Sequence, residues 1–150
     1  MDVILNDIVD ANDLRKFRHQ YEEQCGRGVP SEKAQFEYSI CLVRSRGEQE
    51  IKHGIALLED LFKRTHDPGT RRDCLYYLTL ANTRIKNYEQ ALTFSDAFLK
   101  IEPMNRQVKD LQHYAKIQLR KEGLTGMAIV GGAALALGGL IGLGVHLARK

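Results

Sequence analysis

His19, His53, His66 and His113 are the side chains best suited to acid–base chemistry near neutral pH. Catalysis would need one of them within reach of a nucleophile and an orienting carboxylate. Their spacing instead puts each on a separate predicted element with no such partner in register, so they read as solvated surface groups. Cys25, Cys41 and Cys74 include no C-x-x-C pair and no histidine at metal-ligand spacing. Three thiols suit a reducing cytosol, with Cys41 and Cys74 as small apolar core residues. The glycine-rich run Gly131–Gly144 lacks the lysine of a phosphate loop and lies inside an apolar stretch. No H-E-x-x-H or G-x-S-x-G motif is present. The expected chemistry is therefore recognition without covalent steps: no enzyme, no cofactor and no metal.

The elements that must position any recognition surface are helices. Asp10 is placed to cap a first helix, with Asp13 at N3 and Val9 and Leu14 spaced as a hydrophobic staple; Leu14, Phe17 and Tyr21 follow as one stripe. Gly26-Arg27-Gly28-Val29-Pro30 ends it. Ser31 caps a second helix carrying Ala34, Tyr38, Cys41, Leu42 and Ser45, which Gly47 breaks. A third, about Glu48 to Arg64, buries Ile51, Ile55, Leu58, Leu61 and Phe62. Asp67-Pro68-Gly69 reads as a turn, after which Thr70 caps a fourth helix reaching about Lys86. Tyr88–Ile101 make a fifth, stopped by Pro103, and a sixth runs from about Asn105 to Lys121 with Val108, Leu111, Ala115 and Leu119 inward. No segment alternates with period two, so the expectation is all-α: an arm over residues 1–9, a helical domain over 10–122 and a terminal segment over 123–150.

That terminal segment holds no Lys, Arg, Asp or Glu from Leu124 to Ala148. Roughly 20 apolar residues cross a bilayer core of about 30 Å, so Leu124 to Ala148 reads as one transmembrane helix. Seven glycines, Gly138 and Gly142 among them, and five alanines make it only moderately hydrophobic. Flanked by Arg120-Lys121 and Arg149-Lys150, it has the character of a tail anchor for the mitochondrial outer membrane or the peroxisome, leaving the preceding domain in the cytosol. Ala134, Gly138 and Gly142 form a small-residue stripe suited to helix pairing, a possible route to a homo-oligomer. His146 lies near enough to the end to reach the interface. Nothing at Met1–Asp7 resembles a secretory signal. The chain has 22 Lys+Arg against 19 Asp+Glu. Two of the basic groups, Arg149 and Lys150, follow the apolar run, so the balance ahead of it is only +1. That gives nucleic-acid binding no support.

Residues 72–105 match a 34-residue tetratricopeptide (TPR) repeat, with Leu75, Leu78, Tyr88, Ala91 and Pro103 at pattern positions and Thr79, Asn82 and Phe98 departing from it. A more degenerate copy lies 37 residues upstream, where Tyr38, Cys41, Gly54 and Leu61 take the places of Leu75, Leu78, Ala91 and Phe98. Gly54 in mid-helix costs about 1 kcal/mol against alanine, which makes sense if another backbone passes close by. The expected architecture is a six-helix bundle of two tandem TPR-like repeats, with the first and sixth helices as caps.

Several segments carry a closer likeness. They are Ser31 with Gln35-Phe36-Glu37-Tyr38, Cys41-Leu42-Val43-Arg44-Ser45, Gly54-Ile55 with Leu57-Leu58-Glu59, Tyr88-Glu89-Gln90-Ala91-Leu92, Glu102-Pro103, and the run from Gly123 to Gly132. With them the chain resembles the mitochondrial fission 1 family of tail-anchored TPR-like adaptors. The resemblance implies a cytosolic domain on the mitochondrial outer membrane and peroxisome that recruits a dynamin-related GTPase, directly or through adaptors, and also Rab GTPase-activating proteins. Ser45-Arg46-Gly47 departs from the Ser-Lys-Tyr of many vertebrate-like members, and the turn around Thr65–Thr70 is slightly longer.

In a TPR array the first helices of successive repeats line a concave face. Transferred to this chain, the lining positions are Phe36, Ser39, Val43, Arg46 and Gly47, then Asp73, Tyr76, Leu80, Thr83 and Arg84. The expected groove has an apolar centre at Val43, Tyr76 and Leu80 edged by Arg46 and Arg84, fit for the apolar side of a peptide with acidic groups on the arginines. Val3, Ile4, Leu5 and Ile8 have nothing local to bury them, and the resemblance implies that this arm lies over the groove as a displaceable cover. The alternative is a tail-anchored TPR receptor for import or chaperone docking. Such receptors clamp a carboxylate with Lys and Asn, where this chain has Ser39, Val43 and Tyr77.

Overall fold

The computed structural model describes residues 1–123. They form α1 (Asp2–Leu5), α2 (Ala11–Gly26), α3 (Glu32–Val43), α4 (Glu48–Arg64), α5 (Pro68–Arg84), α6 (Tyr88–Ile101) and α7 (Arg106–Glu122). The described residues thus contain seven helices, all α and without a strand, one more than the sequence suggested. The addition is α1, a single turn inside the arm. The proposed transmembrane helix, with Leu124, Gly138, Gly142 and Ala148, lies outside the described residues, and no described helix is long and apolar enough to cross a membrane.

Caps set the helix starts. The Asp10 carboxylate accepts from the Asn12 N–H at 2.7 Å, Ser31 Oγ from Ala34 N–H at 3.1 Å, and Asn105 Oδ1 from Val108 N–H at 3.0 Å. Asp67-Pro68-Gly69 is not a free turn. Asp67 is the N-cap, accepting from Thr70 N–H at 2.8 Å, and Pro68 begins α5, because a first-turn proline gives up an N–H that has no helical partner anyway. That helix ends at Arg84, not Lys86; Lys86 takes φ +64° and turns the chain into α6.

Consecutive helices from α2 to α7 pack on one another, and α3 touches α5 as α5 touches α7. The core gathers Val43, Ile51, Leu58, Leu61, Phe62, Cys74, Leu75, Leu78, Phe94, Phe98 and Val108. Tyr88, Ala91 and Ala115 seal the α6–α7 contact. Helix α2 buries none of its residues fully; its Tyr21 ring packs against Tyr38 at 5.1 Å, tilted by 34°.

Helices α3 and α5 sit between neighbours on more than one side and therefore bury polar residues. Ser39, Thr79 and Thr83 hydroxyls donate to the carbonyls four residues back. Gln35 is 2% exposed; its Nε2 donates to Leu57 O at 2.9 Å and Asp60 Oδ2 at 3.0 Å, while its Oε1 accepts from Arg64. Buried amides need such partners, since an unpaired one costs about 1–3 kcal/mol.

Candidate peptide-binding groove

The groove is built where α3 stops. The Val43 carbonyl belongs to the last turn, whose acceptors lack partners within the helix, and Arg84 Nη1 donates to it from the end of α5. Burial pushes the Arg84 pKa down; the neighbouring Arg44 charge adds to this, and Asp7 on the arm opposes it. A guanidinium remains protonated through such shifts, so two cations, Arg44 and Arg84, face this corner.

The arm supplies the matching anion. Arg44 Nη2 lies 2.9 Å from Asp7 Oδ2, and the Val9 N–H donates to Arg44 O at 3.0 Å. These contacts lay α1 against α5. Between arm and bundle remains a hollow of about 300 Å³ lined by Val3, Ile4, Asp7, Arg44, Tyr76, Tyr77, Leu80 and Gln107. Its wall is aromatic: Tyr76 and Tyr77 meet edge to face at 5.0 Å, and Phe36 meets Tyr77 the same way at 5.8 Å. Burial raises the pKa of both tyrosines, which keeps them as neutral phenols able to donate and accept at physiological pH.

The sequence-derived groove residues divide. Tyr76 and Leu80 line the hollow and Phe36 supports its wall. Arg84 stands at its edge but spends a donor on Val43. Ser39, Val43 and Thr83 are not surface residues: they are 0%, 0% and 2% exposed. Val43 is closed over by α4, which crosses at Gly54, and the two hydroxyls are consumed by their own helices. Arg46 belongs to a second hollow, of about 350 Å³, with Glu48, Ile51, Arg84, Ile85 and Lys86. Gly47 caps α4, and Asp73 pairs with Arg72 at 3.1 Å. Of the arm residues, Val3 and Ile4 line the first hollow, whereas Leu5 and Ile8 are half-buried outside its lining.

Arg44, Asp7, Tyr77 and Gln107 were not among the expected groove residues. Array positions assume that each helix continues to its nominal end; α3 stops at Val43, and Arg44, its C-cap, lines the hollow and pairs with Asp7.

The remaining chemistry-capable side chains stay apart. His19 sits 3.8 Å from Glu23, His53 lies edge-on to Tyr38 at 5.8 Å, and all four described histidines are exposed. Cys25 is exposed and Cys41 and Cys74 are buried, all as free thiols. Among the described residues no three His, Cys, Asp or Glu side chains converge to hold a metal.

Residues 33–65 match the family model of the Fis1 N-terminal tetratricopeptide repeat, and residues 72–124 that of the Fis1 C-terminal tetratricopeptide repeat. The chain is 41% identical to the mitochondrial fission 1 protein of Mus musculus and 42% identical to that of Homo sapiens, each over 143 residues covering 95% of this chain and 93% of the relative. Among solved structures it is similar to yeast Fis1 in complex with an Mdv1 fragment containing N-terminal extension and coiled-coil domains, with a TM-score of 0.70 and 25% identity over 79% of this chain and 91% of that one.

Proposed function

The chain belongs to the Fis1 family of tetratricopeptide-repeat fission proteins, and from that premise we propose that it is a membrane-anchored adaptor. It recruits a dynamin-related GTPase, directly or through adaptor proteins, to divide mitochondria and peroxisomes. Rab GTPase-activating proteins are a second class of partner for the same domain. The single-pass anchor is the uncharged run from Leu124 to Ala148 in the mitochondrial outer membrane or peroxisomal membrane, with the helical domain in the cytosol. The stripe Ala134, Gly138, Gly142 offers a route to a homo-oligomer.

The observation that carries this reading is the aromatic and arginine-edged hollow beside Leu80, covered by an arm whose helix has no fully buried residue. Such a cover is cheap to displace, and the wall beneath it suits the apolar side of a helix or extended peptide. The yeast relative bound to an Mdv1 fragment supports a protein ligand for this fold. Chaperone docking is disfavoured, because Ser39 and Val43 are buried and offer no clamp for a carboxylate.

The test is recovery of a purified dynamin-related GTPase, or its adaptor, on the full chain in nanodiscs. Leu80→Arg should abolish recovery, and Arg44→Glu, at a more exposed site, should lower it severalfold without unfolding the domain. Equal recovery by wild type and Arg44→Glu overturns the groove assignment.

A further inference from the structure

We propose that the hollow between the α3–α4 and α5–α6 turns is a phosphate-recognition site that takes a phosphoserine or phosphothreonine of a protein partner. It rests on the adaptor reading only for the partner being a protein. The space, of about 350 Å³, is lined by Arg46, Glu48, Ile51, Arg84, Ile85 and Lys86, and no arm residue reaches it. Arg46 follows α3 and Lys86 follows α5, so each repeat contributes a cation from the turn between its two helices. Among the described residues Arg46, Arg84 and Lys86 form no ion pair, and Glu48, the one acid in the lining, is held by Lys52 Nζ at 2.8 Å. Three cations thus border one hollow without an anion of their own.

The backbone at Lys86 is the second, independent observation. Helix α5 ends in a Schellman turn, in which the Lys86 N–H donates to Thr83 O at 3.1 Å and the Asn87 N–H to Asn82 O at 2.8 Å. The C′ position of such a turn is left-handed and ordinarily glycine, yet a lysine stands there at φ +64°, the one non-glycine with positive φ among the described residues. Strain that glycine would relieve points to a use for the side chain. Helix α6 starts immediately afterwards, and its N-cap, Asn87, makes no side-chain cap bond, so first-turn N–H groups add to the positive potential of this corner.

Charge and size select the ligand. A volume at the low end of small-ligand sites leaves room for one compact anion and not for a run of carboxylates. A phosphate monoester concentrates a charge of about −1.5 to −2 and three acceptors at one point, which suits the guanidinium fork of Arg46 together with the point charge of Lys86.

The test uses the full chain in phosphatidylcholine nanodiscs and two fluorescent pools of otherwise degenerate peptides, one with a central phosphoserine and one with serine. The phosphoserine pool should bind about tenfold tighter, and Arg46→Gln should reduce that preference about fivefold. Lys86→Gly should reduce it as much while melting no earlier than wild type, because glycine fits the left-handed turn; a loss of binding in a protein of undiminished stability is not a folding defect. Equal binding of both pools by wild type, or an unchanged preference in Lys86→Gly, overturns the proposal. Vesicles containing phosphatidic acid present the same group in a membrane, and cosedimentation with them without a preference between the peptide pools would assign the site to lipid and overturn it as well. Recovery of the dynamin-related GTPase or its adaptor on the same wild-type preparation separates the two readings: recovery without a phosphoserine preference leaves only the adaptor reading standing, and a preference without recovery leaves only the phosphate site.

Discussion

Gly54 on α4 meets Val43 on α3 so closely that a Cβ on Gly54 would stand 2.7 Å from Val43 Cγ1, 2.9 Å from Leu42 Cβ and 3.0 Å from Val43 N. Val43 is the last residue of α3, so the crossing sits beside the carbonyl that Arg84 holds and next to the C-cap Arg44. Alanine at this position would gain about 1 kcal/mol of helix propensity, but overpacking a tight crossing costs about 1–3 kcal/mol. Two of the three close atoms are backbone or Cβ and yield little. Gly54→Ala should therefore destabilise the domain by up to about 2 kcal/mol, read by urea denaturation.

Arg84→Met keeps most of the side-chain stem and removes the charged donor to the Val43 carbonyl. Hydrogen bonds to charged groups contribute about 1.5–3 kcal/mol, and a loss of that order is expected. Arg84→Lys should recover part of it, because an ammonium can still donate but cannot reproduce the guanidinium fork. Equal stability of all three proteins in denaturant would show that the contact contributes nothing.

Asp60 sets an acid limb of the stability profile. The Gln35 amide, and after it Arg64, hold the Asp60 carboxyl below its ordinary range. A depressed folded-state pKa stabilises the protein above the unfolded value of about 3.9, and that contribution disappears as pH falls through the folded value. The side chain is 56% exposed, so screening limits Asp60→Asn to a loss of roughly 1 kcal/mol or less at pH 7. Melting curves of wild type and variant should converge as pH drops below about 4; a gap that persists there would mean the loss is not electrostatic.

The three thiols should differ in reactivity. Burial pushes Cys41 up to about 11 and Cys74 up to about 12, whereas Cys25 is exposed. Because the thiolate is the reacting species, a disulfide reagent at pH 8 should titrate one cysteine quickly, and Cys25→Ser should remove that phase. The other two should react only on unfolding.

The helices were legible wherever an apolar period of 3.6 met a cap. Glu48–Arg64 and Tyr88–Ile101 have the limits that their sequence pattern indicates, and Ser31, Asp10 and Asn105 cap the starts of three others. Asp67-Pro68-Gly69 was misread because the same residues serve a turn or a cap followed by a first-turn proline, and only the Thr70 N–H at 2.8 Å distinguishes them. A one-turn α1 was out of reach, since so short a helix has no period and depends on resting against α5.

Sequence alone determined the helical class, the repeat, the close approach at Gly54 and the family, because these depend on local period, caps and fixed spacing. The tertiary structure decided which repeat positions reach solvent. Val43, Ser39 and Thr83 are buried, Val43 under the α4 crossing at Gly54, while Arg44 just past the end of α3 lines the hollow. It also decided that Asp7 meets Arg44, a contact between residues 37 apart in the chain. Nothing in local sequence encodes such a pairing; it exists only once the packed helices bring the two charges to one corner.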